Sequence, residues 1–158
     1  MSGAAEDNLE LIRRGYAAWN RGDIVGVAAI LDEDVEWRGH PRLPEPGPYF
    51  GREAVRGWLD DLRSAWQEIE VHLLALSDCD DAVVALVHIT GRGRGSGLDV
   101  ASGIDAHVWR VRSGRVVEMT WMQGDSVARR LGVPPAKVQS TVEETPETLT
   151  LLAEAGRE

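Results

Sequence analysis

The sequence predicts an α+β fold in which a curved antiparallel sheet wraps around N-terminal helices and encloses a cone-shaped pocket. Three observations lead there. Apolar residues in the first third recur at three- and four-residue steps, the spacing of amphipathic helices. Beyond Gln67 the pattern changes to valine-rich runs of strand length, parted by turn residues. Six tryptophans stand against one phenylalanine and two tyrosines, and each indole needs wide apolar space and a partner for its N–H. Such rings either fill a core or line a cavity.

The elements follow in order. Leu9, Ile12, Tyr16 and Trp19 mark one face of a helix over Glu6–Asn20, which Arg21-Gly22-Asp23 stops. Asp23 can cap a second, shorter helix whose buried face is Val27, Ile30 and Leu31. Asp34–Arg38 reads as a short strand with Val35 and Trp37 on one side. Four prolines between Pro41 and Pro48 then make a rigid loop. Gly51–Trp66 restores helical spacing through Val55, Trp58, Leu62 and Trp66. Val71–Leu76, Ala82–Thr90, Ile104–Val111 and Val116–Met122 form a four-stranded antiparallel meander, with hairpin turns at Ser96-Gly97 and Ser113-Gly114. Gly124–Leu131 offers a last short helix. The folded domain is placed at 1–132, followed by an acidic tail, 133–158, that is solvated or docks on a partner subunit through Thr148–Ala155.

Composition sets the outer bounds. At 158 residues and 17.3 kDa the chain is one domain long. A net charge of -9 repels phosphate backbones and anionic lipid, so neither nucleic acid nor a membrane is an expected partner. Lone Cys79 permits no internal disulfide, and the N-terminus shows neither a basic leader segment nor an apolar one, so a reducing cytoplasm is the expected location. No internal repeat is present. The glycine-rich Gly91–Gly97 joins strand to strand, whereas a phosphate loop needs a helix N-terminus after it.

Strand alternation assigns the candidate site. With Ser96-Gly97 as a two-residue turn, His88 faces Asp105, Leu86 faces His107 and Val84 faces Trp109. With a three-residue loop in the next hairpin, Val117, Met119, Trp121 and Gln123 join that side, while Arg110, Arg112, Glu118 and Thr120 take the other. Asp105 and His107, two residues apart on one strand, point into the same space and suit proton transfer, with His88 in support. The competing reading is a buried hydrogen-bonded pair that only fixes register. Two histidines and a carboxylate also resemble a metal triad, but their spacing matches no ligand signature, so no metal or cofactor is expected. Tyr16, Trp19, Trp37, Trp58, Trp109, Met119, Trp121 and Gln123 are placed around a small apolar ligand. Tyr16 is either a core ring or a donor to a ligand oxygen, and His40 either reaches the cavity mouth or lies exposed.

Tyr16-Ala17-Ala18-Trp19-Asn20-Arg21-Gly22-Asp23, Val35-Glu36-Trp37, Phe50-Gly51-Arg52-Glu53-Ala54-Val55 and the run Val108–Val117 resemble the SnoaL-like branch of the nuclear transport factor 2-like superfamily, whose fold is the cystatin-like cone. The resemblance spans Leu9 to Leu131. It implies a homodimer formed through the outer sheet face, with Arg110 and Glu118. Ketosteroid isomerases of this fold use a base at the end of the first strand, an acid on the strand before the last and a tyrosine on the first helix. Those positions fall here on Gly39 or adjacent His40, at or near His107, and on Gly15, one residue from Tyr16. Polyketide cyclases of the family use an acid or base in the cone for an aldol-type closure, a part open to Asp105 or His107. The resemblance therefore implies cofactor-independent acid/base chemistry on an apolar carbonyl or polycyclic molecule. The alternative is a ligand-binding or scaffold protein without catalysis.

Overall fold

Helix α1 (Gly3–Asn20) buries Leu9, Ile12, Tyr16 and Trp19, the stripe its spacing marks. It stops at Gly22, whose φ of 80° suits a residue without a Cβ. Asp23 then caps α2 (Ile24–Ala28) by accepting the Gly26 N–H at 2.9 Å. These features belong to a computed structural model that describes residues 3–39, 47–79, 82–93, 99–123 and 138–140. His40, most of the proline loop, the Ser96-Gly97 turn, the Gly124–Leu131 segment and Thr148–Ala155 lie outside the described residues.

The chain continues through β1 (Leu31–Arg38), β2 (Tyr49–Phe50), α3 (Arg52–Ser64), β3 (Trp66–Cys79), β4 (Ala82–Gly93), β5 (Asp99–Arg112), β6 (Arg115–Gln123) and β7 (Val138–Ser140). The described strands form one curved, unclosed sheet in the order β2-β1-β6-β5-β4-β3-β7. All neighbours are antiparallel except β1 and β6, which run parallel. This is the expected α+β class, and no described helix is long and apolar enough to cross a membrane. Val138–Ser140, part of the stretch assigned to a tail, pairs with β3 at Ala75–Ser77.

Four expectations change. Leu31 opens β1 rather than closing α2. Trp66 begins β3, pairing with Gly93, because the alternation of Glu68, Ile69, Glu70 and Val71 takes over from the helical period at Ala65. Its ring lies so close to Gly91 that a Cβ there would sit 3.0 Å from Trp66 Cε3 and 2.9 Å from the Glu68 carbonyl oxygen. The β5–β6 hairpin turns on two residues, Ser113 and Gly114, both with left-handed φ (52° and 74°). The extra residue expected in that loop sits instead in a bulge, which leaves Val116, not Val117, fully buried.

The fourth change matters most for the site. β4 and β5 pair one residue out of the expected register: Val87 faces Asp105, Ala85 faces His107 and Val83 faces Trp109. A slip of one residue turns a strand over. Val83, Ala85 and Val87 therefore lie on the inner face under the helices, and Val84, Leu86 and His88 on the outer face. Ala82–Val87 is apolar on both sides, so alternation alone does not fix which half points inward.

Candidate functional site

Four elements converge on the inner face. α1 contributes Tyr16 and Trp19, β1 contributes Trp37, α3 contributes Trp58, and the β5–β6 hairpin contributes His107, Trp109, Met119 and Trp121. Together they wall a cavity of about 60 Å³ whose surface is apolar. Two side-chain clasps hold the helices over it. The Asn20 amide bonds both the carbonyl and the N–H of Val71 on β3, at 2.9 and 2.8 Å. Arg63 of α3 donates to the Trp19 carbonyl at 2.7 Å, and its guanidinium lies 5.1 Å from the Trp19 ring centroid.

Tyr16 and His107 stack at 14°, and Trp109 and Trp121 meet their neighbours edge to face. Trp109 stands at 87° to Tyr16 and 80° to Trp37, with centroids 5.6 Å apart in both pairs, and His107 meets Trp121 at 5.2 Å and 83°. Within this packing runs a chain of hydrogen bonds: the Trp109 indole N–H donates to the Tyr16 oxygen at 2.9 Å, and that oxygen lies 2.6 Å from His107 Nδ1. Burial pushes the Tyr16 hydroxyl well above the usual tyrosine range, with the Trp109 bond acting in the opposite sense. The indole N–H groups of Trp19 and Trp37, though buried, find no acceptor among the described residues.

The expected residues separate into those the structure gathers and those it does not. Eight of them line the cavity as above. Asp105 is buried on the same face, opposite Val87 and Gln123, but does not line the cavity. Gln123 is placed by its backbone pairing alone. His88 belongs to the other side of the sheet: its ring lies 5.9 Å from that of His72, whose Nε2 is 3.0 Å from Thr90 Oγ1. His88 is thus withdrawn as a support for Asp105, and with it goes the idea of a metal triad on one face. Among the described residues no three His, Cys, Asp or Glu side chains are grouped to hold a metal ion. Of the two readings of Tyr16, the structure shows a buried ring whose hydroxyl is engaged by His107, and both Tyr16 and Gly15 line the cavity.

Sequence reasoning missed part of the wall. Val27, Leu59, Leu62, Ile69, Val71 and Ile89 complete it, and their own periodicity already marks them as apolar. Gly15 is the more telling omission, because a Cβ there would come 2.6 Å from Ile30 Cδ1. A glycine inside a helical stripe was the available signal of such close approach.

The family model for the SnoaL-like domain matches residues 12–119. Bal32a, from a soil-derived mobile gene cassette, is 30% identical, with a TM-score of 0.65 over 74% of this chain and 88% of that one. A nuclear transport factor 2-like protein of unknown function from Burkholderia pseudomallei is 24% identical, with a TM-score of 0.67 over 83% of this chain and 98% of the other. A putative polyketide cyclase from Xanthomonas campestris is 19% identical, with a TM-score of 0.64 over 81% and 96%. These last two likenesses concern the fold alone. Among curated proteins none matches the chain.

Proposed function

The chain belongs to the SnoaL-like family, and on that premise we propose that it takes a small, largely apolar, carbonyl-bearing molecule into the aromatic cavity and moves a proton on it without a cofactor. Asp105 and His107, two positions apart on one strand face, are the acid/base pair of this reading, with His107 the member on the cavity wall. The observation that carries this reading is His107 itself, a titratable ring only 6% exposed, set in an apolar wall and tied to Tyr16. A polar group in such surroundings acts on a ligand far more strongly than it would in water. The fold it shares with a putative polyketide cyclase supports the reaction class by analogy.

The cavity narrows the substrate. Its ~60 Å³ is well below the roughly 150 Å³ of a cavity that accepts benzene. A polycyclic ligand therefore enters only if an indole of the wall turns aside, and a small ketone or aldehyde is the better fit. The same tight, apolar wall favours the second reading, a binding protein without chemistry. A second copy docking on the outer face beside the Arg110–Glu118 pair (3.8 Å) completes the proposal. Val84 and Ala106 on that face are already buried within one chain, so the contact falls on its polar flank, and light scattering near twice 17.3 kDa is its test.

Exchange of α-protons for deuterium in a panel of small ketones, followed by NMR, tests the reaction class before any product is known. The wild-type protein accelerates exchange, and Asp105→Asn and His107→Gln lose the acceleration while still binding the ketone. Binding without acceleration by the wild type favours the non-catalytic reading.

A further inference from the structure

We infer that Trp109 and Tyr16 hold His107 as the neutral tautomer protonated at Nε2, so that any hydrogen bond this nitrogen makes to a ligand is one it donates, to an acceptor oxygen such as that of a ketone or aldehyde. The ligand half of this inference rests on the proposed function; the tautomer does not.

The direction of each hydrogen bond follows from what each group is able to do. An indole N–H only donates, so the bond of 2.9 Å makes the Tyr16 oxygen an acceptor toward Trp109. The phenol has one proton to give, and His107 Nδ1, at 2.6 Å, is the other hydrogen-bonding neighbour of its oxygen among the described residues. Were Nδ1 to carry a proton and donate, the Tyr16 O–H would be buried without an acceptor, an arrangement folded proteins avoid. With the Tyr16 O–H donating to Nδ1, the indole N–H, the phenol O–H and Nδ1 are all satisfied. A neutral imidazole whose Nδ1 accepts carries its hydrogen on Nε2.

Burial reinforces the arrangement, because it keeps the Tyr16 proton on its oxygen. Tyr16, His107 and Trp109 are 7, 6 and 5% exposed, so water does not compete for these bonds. A neutral imidazole placed in this way polarises a carbonyl without giving up its proton. In this scheme Tyr16 and Trp109 are positioning residues that act through His107.

The test is the ¹⁵N spectrum of the histidine rings of the full chain at neutral pH, with His107 assigned by its loss in His107→Gln. The wild type is expected to show one tautomer, with a protonated Nε2 and an unprotonated Nδ1, and Tyr16→Phe a mixture of the two. A wild-type ring protonated at Nδ1, or at both nitrogens, overturns the inference, and it does so even if Tyr16→Phe fails to fold. Addition of acetone is expected to shift the Nε2 proton, whereas propane does not. If the tautomer is as inferred but neither probe perturbs any cavity residue, the ligand half is overturned together with the proposed function.

Discussion

The two faces of the β4–β5 pair each carry a histidine, and the two environments have little in common. On the inner face His107 is packed by Tyr16, Trp109 and Trp121 and is nearly inaccessible. On the outer face His88 is half-buried beside His72, with Thr90 and Glu70 next to that second ring. Alternation along a strand supplies both positions equally. The inner imidazole differs because α1 lies over it and brings a phenol to its Nδ1, whereas the outer pair meets a hydroxyl and a carboxylate at a partly wet surface. What sets the inner imidazole apart is the covering helix as much as the strand.

Substitutions on the two faces should therefore diverge. The largest contrast is chemical: His107→Gln lowers ketone α-proton exchange by about 10²–10⁴-fold, the usual contribution of a positioned acid or base, while His88→Gln leaves the rate unchanged. A comparable loss in His88→Gln would remove the distinction between the faces. Next comes stability. Trp37→Ala, which empties the middle of the ring cluster, costs about 3–5 kcal/mol in urea unfolding, against about 1–2 kcal/mol for Val84→Ala on the outer face.

Gly15→Ala sharpens the comparison from the helix side. Its new Cβ meets Ile30 Cδ1 at 2.6 Å, an overpacking that costs about 1–3 kcal/mol, and Ile30→Val, which removes that methyl, restores most of the loss in the double variant. The smallest effect is on the alkaline limb. Because burial raises Tyr16 above its ordinary 10.0, the unfolded chain ionises this group first. The folded chain then holds the extra proton, so stability is full below pH 10 and falls as the pH climbs beyond it. Tyr16→Phe flattens that part of the profile, and an unchanged slope would mean that Tyr16 is not buried as described.

Much of this architecture was legible in the residues. The helical stripe of α1, the Asp23 cap and the strand segments follow from periodicity and capping chemistry, and the common side of His107, Trp109, Met119 and Trp121 follows from alternation within one hairpin. The register of β4 was not legible, since Ala82–Val87 offers an apolar residue at every position and no polar side to exclude it from the core. Nor was the parallel pairing of β1 with β6, which joins segments remote in the chain. The bond between Tyr16 and His107 spans 91 positions, and no local pattern announces it. Trp66 satisfied two periods at once, and sheet pairing decided between them.

A titration of the protein with acetone, followed through the histidine rings and indole N–H signals, tests the inner face most directly. The account predicts that His107, Trp37 and Trp109 shift together while His72 and His88 stay still. A response confined to His72 and His88, or none from His107 at a ketone concentration that shifts the indoles, would contradict it.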